Sequence, residues 1–190
     1  LGVAVNVSVK NLQDPNLVSF FEQLSHRDDF HAERLQLEIT ETELLEDSAG
    51  VIDVLVRLRS LGLSVAVDDF GVGHTSLAYL KDLPASHLKI DRSFISALQP
   101  DSPEDFIVRS TVQLGHDLGL EIVAEGIEDQ LTLDRLTDYG CDIAQGFLFG
   151  APMQGSSFTA LLGDSEGRLL PATPTRGAAS PFPLIAAANS

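Results

Sequence analysis

Cationic residues are scarce in this 190-residue chain. Twelve Lys and Arg stand against 28 Asp and Glu, for a formal net charge of −16. A surface of that sign repels nucleic-acid backbones and anionic membranes unless a basic patch or a metal intervenes. No Lys/Arg cluster of the nucleic-acid-binding kind is present, so no nucleic-acid polymer is expected as partner. Cysteine is nearly absent: Cys141 stands alone, which excludes an intramolecular disulfide and a cysteine zinc site and fits a reducing compartment. Tryptophan is missing and aromatics make up 6% of the chain, so the core must rest on Leu, Val, Ile and Ala. No apolar run approaches the roughly 20 residues that span a bilayer, and no signal peptide is visible. A cytoplasmic location is the expectation, with any membrane tether of a longer parent lying outside these residues. The opening at Leu1, inside the apolar run Val3–Val7, reads as an excerpt of something longer.

What is present is a repeating beat of short apolar run, polar residue and helical pattern. The runs are Val3–Val5, Leu35–Leu37, Val65–Val67, His87–Ile90, Leu120–Val123 and Asp142–Ala144. Short, mostly aliphatic runs of this kind suit buried parallel strands. Helical patterns follow over Leu17–Leu24, Gly50–Leu61, Ser76–Leu83, Pro103–Leu118, Asp129–Tyr139 and Ser156–Leu162, several ending at Gly or preceded by a capping Ser. Alternation of this sort means α/β with a parallel sheet.

A doubly wound sheet and a β/α barrel both fit the beat, and the polar residues separate them. Each run is closed or interrupted by a residue able to bind a metal or move a proton: Asn6, Glu38, Asp68, Lys89, Glu125 and Gln145. Chemistry gathered at the C-terminal ends of successive strands marks the barrel. A dinucleotide-binding sheet would need a glycine-rich first turn, and Asn6–Lys10 holds no glycine. A TIM-like barrel needs eight strands and about 250 residues. The expectation is therefore an incomplete TIM-like β/α barrel, six of eight βα units over residues 1–163, with two units missing before residue 1. Residues 164–190, rich in Pro, Ala, Gly and Ser, read as a flexible tail.

Asp68-Asp69 is the sharpest local signal. Adjacent carboxylates at a barrel mouth repel unless a cation neutralises them, and hard divalent ions favour oxygen ligands. Asp69 is equally readable as a cap, Asn6 as a turn residue, and Glu41 as a first-turn helix residue favoured by the dipole. Lys89 lies inside an apolar run, where an ammonium needs an anionic partner; Asp91 is one candidate. Four or five oxygen ligands and one Lys on consecutive strand ends suit two-metal hydrolysis of a phosphodiester, with cations roughly 3.5–4 Å apart. Lys89 would orient the water or neutralise developing charge. The five histidines show no metal spacing and read as structural or solvated. Phe30, Phe94 and Phe106 read as core.

These segments resemble the EAL family of cyclic-di-GMP phosphodiesterases. Asn6-Val7-Ser8 is similar to its NLS-type strand end, and Glu38–Glu41 to its ExTE motif. Asp68–Leu77 resembles its DDFGTGYSSL loop, Leu88–Asp91 its LKID motif and Val123–Glu128 its VAEGVE motif. Gln145 through Pro152 resembles its QGY…P motif. Six motifs stand in register from residue 1 to about 162.

The resemblance implies a β/α barrel that cleaves cyclic-di-GMP to linear pGpG with Mg²⁺ or Mn²⁺. It implies Asn6, Glu38 and Asp68 at one metal, Asp68 and Asp69 at the second, and Lys89 and Glu125 beside the attacking water. Gln145 and Gly146 would line the ligand site. Glu41 and Glu128 would support the loop Asp69–Ser76, which implies a homodimer through that loop and nearby helices. Sensory or GGDEF-type domains upstream are expected partners. The chain departs from the family pattern at Val72, His74, Thr75 and Ala151, and lacks the Glu-Ala-Leu strand. The alternatives are a catalytically inactive module that binds cyclic-di-GMP or a protein, and an unrelated metal-dependent barrel such as an enolase-type lyase. The present motif positions are intact, which favours the enzyme.

Overall fold

A computed structural model describes residues 2–46, 48–72, 80–164 and 186–187. Six strands carry the architecture: β1 (Val3–Asn6), β2 (Leu35–Thr40), β3 (Ser64–Phe70), β4 (His87–Ile90), β5 (Glu121–Ala124) and β6 (Ile143–Ala144). Each pairs in parallel with the next, so the spatial order is the chain order. A doubly wound sheet reverses its order at a switch point, and these six strands do not. Crossovers between sequential parallel strands are right-handed as a rule, which puts the connecting helices on one face and curls the sheet around the other, the winding of a β/α barrel. The result is an open arc of six barrel strands, as the alternating sequence predicts.

The helices are α1 (Val9–Leu12), α2 (Leu17–Ser25), α3 (Glu41–Glu46), α4 (Ser48–Ser60), α5 (Arg92–Ser96), α6 (Pro103–Asp117), α7 (Gln130–Asp138) and α8 (Gly155–Asp164). The apolar faces of α1 to α7 pack on Leu37, Ile39, Val65, Val67, Leu88, Ile90, Ile122 and Ala124, which form the core with Leu55, Leu58 and Leu136. The period of two then sends Glu38, Ala66, Lys89 and Val123 to the opposite, concave face. Buried charge is thereby segregated from buried hydrocarbon.

Three short helices exceed what hydrophobic periodicity predicts, and each rests on capping. Ser8 and Asn11 form a reciprocal capping box at α1. Thr40 Oγ1 accepts from Glu43 N at 3.4 Å and donates to Glu43 Oε2 at 3.0 Å, starting α3 directly from β2. Asp91 caps α5 through Ser93 N. Of the helix expected over Ser76–Leu83, residues 76–79 lie outside the described residues; Leu80 and Leu83 are buried. Phe30 and Phe94 pack against the core as expected, but Phe106 is exposed on α6 and is not a core residue. The expected flexible tail falls largely outside the described residues. Within it, Ala186–Ala187 form a two-residue strand, β7, in parallel register with Val3 and Ala4.

Candidate active site and metal centre

The concave face brings four strand ends together around one ammonium. Lys89 Nζ lies 2.6 Å from Glu125 Oε1, 2.9 Å from Glu38 Oε1 and 3.1 Å from Asp68 Oδ1. These partners come from β2, β3 and the residue after β5, and Lys89 itself is 3% exposed. Burial opposes the charged amine, but the carboxylates of Glu125, Glu38 and Asp68 outweigh it and hold its pKa above the ordinary lysine value. Lys89 is therefore a permanent cation at neutral pH. The nearest acidic residue in sequence, Asp91, is not an ion-pair partner of Lys89. Its carboxylate accepts from Ser93 N at 2.9 Å and from the Ser93 hydroxyl.

Backbone distortion puts Asp69 on the site. Adjacent residues of a regular strand point to opposite faces. Here the register with β4 shifts between Val67 and Phe70, and Asp69 adopts φ +54°. The break in alternation leaves ligand atoms of Asp68, Asp69 and Glu125 all within 4.8 Å of one another. Gly71 then turns the chain at φ +100°, with the Phe94 ring so close that a Cβ would lie 2.9 Å from it. The Gly71 N–H donates to Glu41 Oε2 at 2.8 Å. Glu41 is thus both the first residue of α3 and an anchor for the loop after β3. The segment 73–79, and with it His74 and half of the expected dimer loop Asp69–Ser76, lies outside the described residues.

The electrostatics suit a cation. Burial raises the Asp69 pKa above the ordinary carboxylate value, and the charges of Asp68 and Asp91 push the same way against Lys89. Burial also raises that of Glu125, with Lys89 opposing and Asp68 and Glu38 adding to the rise. Buried carboxylates such as Asp69 and Glu125, whose ionisation burial and then neighbouring negative charge oppose, are what a hard divalent ion relieves, and the all-oxygen set Asp68, Asp69, Glu125 fits one.

The remaining expected residues sit around this centre. Asn6 ends β1 in register with Glu38, and the Val7 N–H donates to Glu38 O at 2.8 Å, tying β1 to the same layer. Gln145 follows β6. Its N–H donates to Ala124 O at 2.9 Å and its carbonyl accepts from Ile127 N at 3.1 Å, which clamps the Glu125-bearing segment to β6. A Cβ on Gly146 would fall on the Ile127 backbone, so packing alone accounts for the glycine. Glu128 is exposed. The described histidines play local parts: His87 Nε2 lies 3.0 Å from Glu121 Oε2, and His116 Nε2 lies 2.8 Å from Asp142 Oδ2. The residue that sequence reasoning misplaced is Asp91, which acts on Asp69 rather than Lys89; its position opening a helix was the available signal.

Comparison with known proteins converges on one family. A family model described as "EAL domain" matches residues 1–152. A bifunctional diguanylate cyclase/cyclic di-GMP phosphodiesterase, MucR of Pseudomonas aeruginosa, is 41% identical over 158 residues, 83% of this chain and 23% of the relative. The cyclic di-GMP phosphodiesterase PA2567 of the same species is 37% identical over 153 residues, 80% of this chain and 26% of the relative. The chain thus spans about a quarter of these relatives' length. Among solved structures, a complex of PaMucR phosphodiesterase with c-di-GMP superposes with TM-score 0.77 at 41% identity, over 83% of this chain and 70% of that one. A manganese/cy-diGMP complex of Klebsiella pneumoniae BlrP1 superposes with TM-score 0.72 at 30% identity, over 80% of this chain and 39% of that one.

Proposed function

The chain belongs to the EAL domain family, and on that premise we propose that it carries the catalytic centre of a cyclic-di-GMP phosphodiesterase that releases linear pGpG. The observation that carries the proposal is the buried Lys89 bridged to Glu38, Asp68 and Glu125, beside a three-carboxylate cluster completed by Asp69. Asp68, Asp69 and Glu125 would hold divalent cations, Mg²⁺ or Mn²⁺, with Glu38 and Asn6 completing the set. Bound there, such ions neutralise phosphoryl oxygens and lower the pKa of water.

This chain's own residues do the rest. Lys89, fixed by three ion pairs, holds positive charge beside the attacking water, where negative charge develops on the phosphodiester. Glu125, also within the cluster, accepts the water's proton. Glu41 steadies the loop that carries Asp69, and Gln145 locks the Glu125 segment to β6. Without cations the acidic site would repel a phosphodiester, so substrate binding and catalysis share one requirement. Cytoplasmic location, pairing of two copies through the loop after β3, and linkage to sensory or GGDEF-type domains complete the proposal. None of the described helices is long and apolar enough to cross a membrane.

The test is hydrolysis of cyclic-di-GMP by the purified protein, read as pGpG by chromatography. Turnover should appear with Mn²⁺ or Mg²⁺ and vanish with excess EDTA. Full turnover in EDTA would overturn the metal assignment, and tight binding without turnover would place the chain with the binding-only members.

A further inference from the structure

An acidic site that meets phosphate only through cations must hold the rest of a cyclic dinucleotide by other means. Its two bases are large, flat and mostly neutral, and the general solution is an aromatic platform. Aromatics are so few here that the choice can be made by elimination among the described residues. The chain has no Trp and two Tyr, of which Tyr139 is engaged with Asp105 and Tyr79 lies outside the described residues. Among the described phenylalanines, Phe21 is core, and Phe30, Phe70, Phe94 and Phe149 pack partly buried against it. Phe158 is half-buried on α8. Phe20 and Phe106 are exposed on α2 and α6, in the helical layer outside the sheet. Phe147 is the exposed phenylalanine, at 63%, in a segment that leaves a strand at its C-terminal, site-bearing end.

The turn that presents Phe147 is rigid and tied to a catalytic group. Gln145 bonds to Ala124 and Ile127 through both of its backbone groups, Leu148 N donates to Ile127 O at 3.0 Å, and Phe149 N donates to Gly146 O at 3.1 Å. Gly146 seats directly on the Ile127 backbone. Ile127 is two residues beyond Glu125, so the turn and the Lys89–Glu125 pair share one short frame. Leu148 and Phe149 tuck toward the core while Phe147, just before them, does not. A rigid frame that buries two apolar neighbours and holds out the third has an exposed apolar ring to spare for a ligand.

We propose that Phe147 is a specificity-determining residue of this site, the platform on which one purine base of the substrate stacks. The inference rests on the cyclic-dinucleotide reading above. Stacking of about 1–3 kcal/mol per base corresponds to a roughly 5- to 150-fold change in affinity. The absence of Trp supplies the probe. In Phe147→Trp the single indole reports contact with guanine, and calcium serves as the cation, since a calcium/cy-diGMP complex of BlrP1 has been solved. Titration with cyclic-di-GMP should quench the emission of that indole to saturation, while a Phe106→Trp control should stay flat. By calorimetry, Phe147→Ala should bind at least fivefold more weakly than wild type and Phe147→Tyr within about twofold, with unchanged circular dichroism for each variant. Wild-type binding together with a flat indole signal from Phe147→Trp and an unaltered Phe147→Ala affinity would overturn the inference and leave the functional reading intact. No binding to wild type by calorimetry, with no quenching in Phe147→Trp, would overturn both.

Discussion

Replacing Lys89 by Met keeps the length and burial of the side chain and deletes only its charge, so it isolates what the ammonium does. In the protein that charge lies within 3.1 Å of three carboxylates. Ligand atoms of Asp68 and Glu125 lie within 4.8 Å of each other. At an effective dielectric constant of about 20, two bare carboxylates at that separation repel by about 3 kcal/mol. Two consequences diverge. The acidic cluster loses a competing positive charge, so its affinity for Mn²⁺ or Mg²⁺ should stay the same or rise. Turnover should nevertheless fall on the order of a hundredfold or more, about 2.7 kcal/mol of barrier, if Lys89 orients water or meets developing charge. The assay pairs cation titration calorimetry with kcat and KM on cyclic-di-GMP, with a thermal melt to check folding. Near-wild-type turnover with tighter cation binding would make Lys89 a charge compensator and refute the catalytic assignment. Loss of cation affinity would refute the electrostatic reasoning itself.

Glu125 ionises less readily in the fold than its ordinary 4.5, because it is buried. A carboxylate with a raised folded pKa costs the fold nothing well below the unfolded value; the cost grows as pH climbs through the unfolded pKa and levels off above the folded one. Glu125→Gln should therefore raise the melting temperature of the cation-free protein at neutral pH and leave it unchanged at pH 4; an equal shift at both would contradict this. Asp68→Asn should abolish hydrolysis, because that carboxylate belongs both to the acidic cluster and to the Lys89 network, and measurable turnover at saturating Mn²⁺ would count against it. Gly146→Ala should destabilise by about 1–3 kcal/mol, since its Cβ would overlap the Ile127 backbone; an unshifted melt would show that the turn relaxes freely.

How far the sequence spoke depends on the range of each interaction. Strand ends were legible because burial on the helix side and chemistry on the concave side alternate within four to seven residues, a pattern local to each run. Asn6, Glu38, Asp68, Lys89 and Glu125 could be nominated in that way, and the strand order then follows from winding. The partner of Lys89 could not be chosen locally. Asp91 is two residues away, but a residue two places along a strand or its exit is not the nearest neighbour across the sheet, and three carboxylates from β2, β3 and the end of β5 occupy that place instead. The short helices were hidden for a related reason: four to six residues are too few to show a period, and their signal lies in caps such as Ser8-Asn11 and Asp91-Ser93. Phe106 misled because an aromatic in a helical pattern is usually core, whereas here Asp105 and Val108 point inward and Phe106 lies outside that stripe.

The geometry of Asp69 carries the same lesson into the chemistry. Regular strand geometry would put Asp68 and Asp69 on opposite faces, one in the site and one outside it. Both reach the site only because the backbone leaves strand geometry at φ +54° and the register with β4 slips there. A left-handed conformation at a residue with a Cβ is unfavourable in isolation. It is held by a neighbouring network: the Asp69 N–H donates to Asp68 Oδ1 at 2.9 Å, and the next turn is tied down where Gly71 N–H meets Glu41. Glu41 in turn is fixed by α3, which Thr40 starts. The chain thus uses a helix cap after β2 to sustain a strained turn after β3, and the strain sets two carboxylates near a third. The separation of metal-binding groups in this site is a property of that linkage, which no single motif contains.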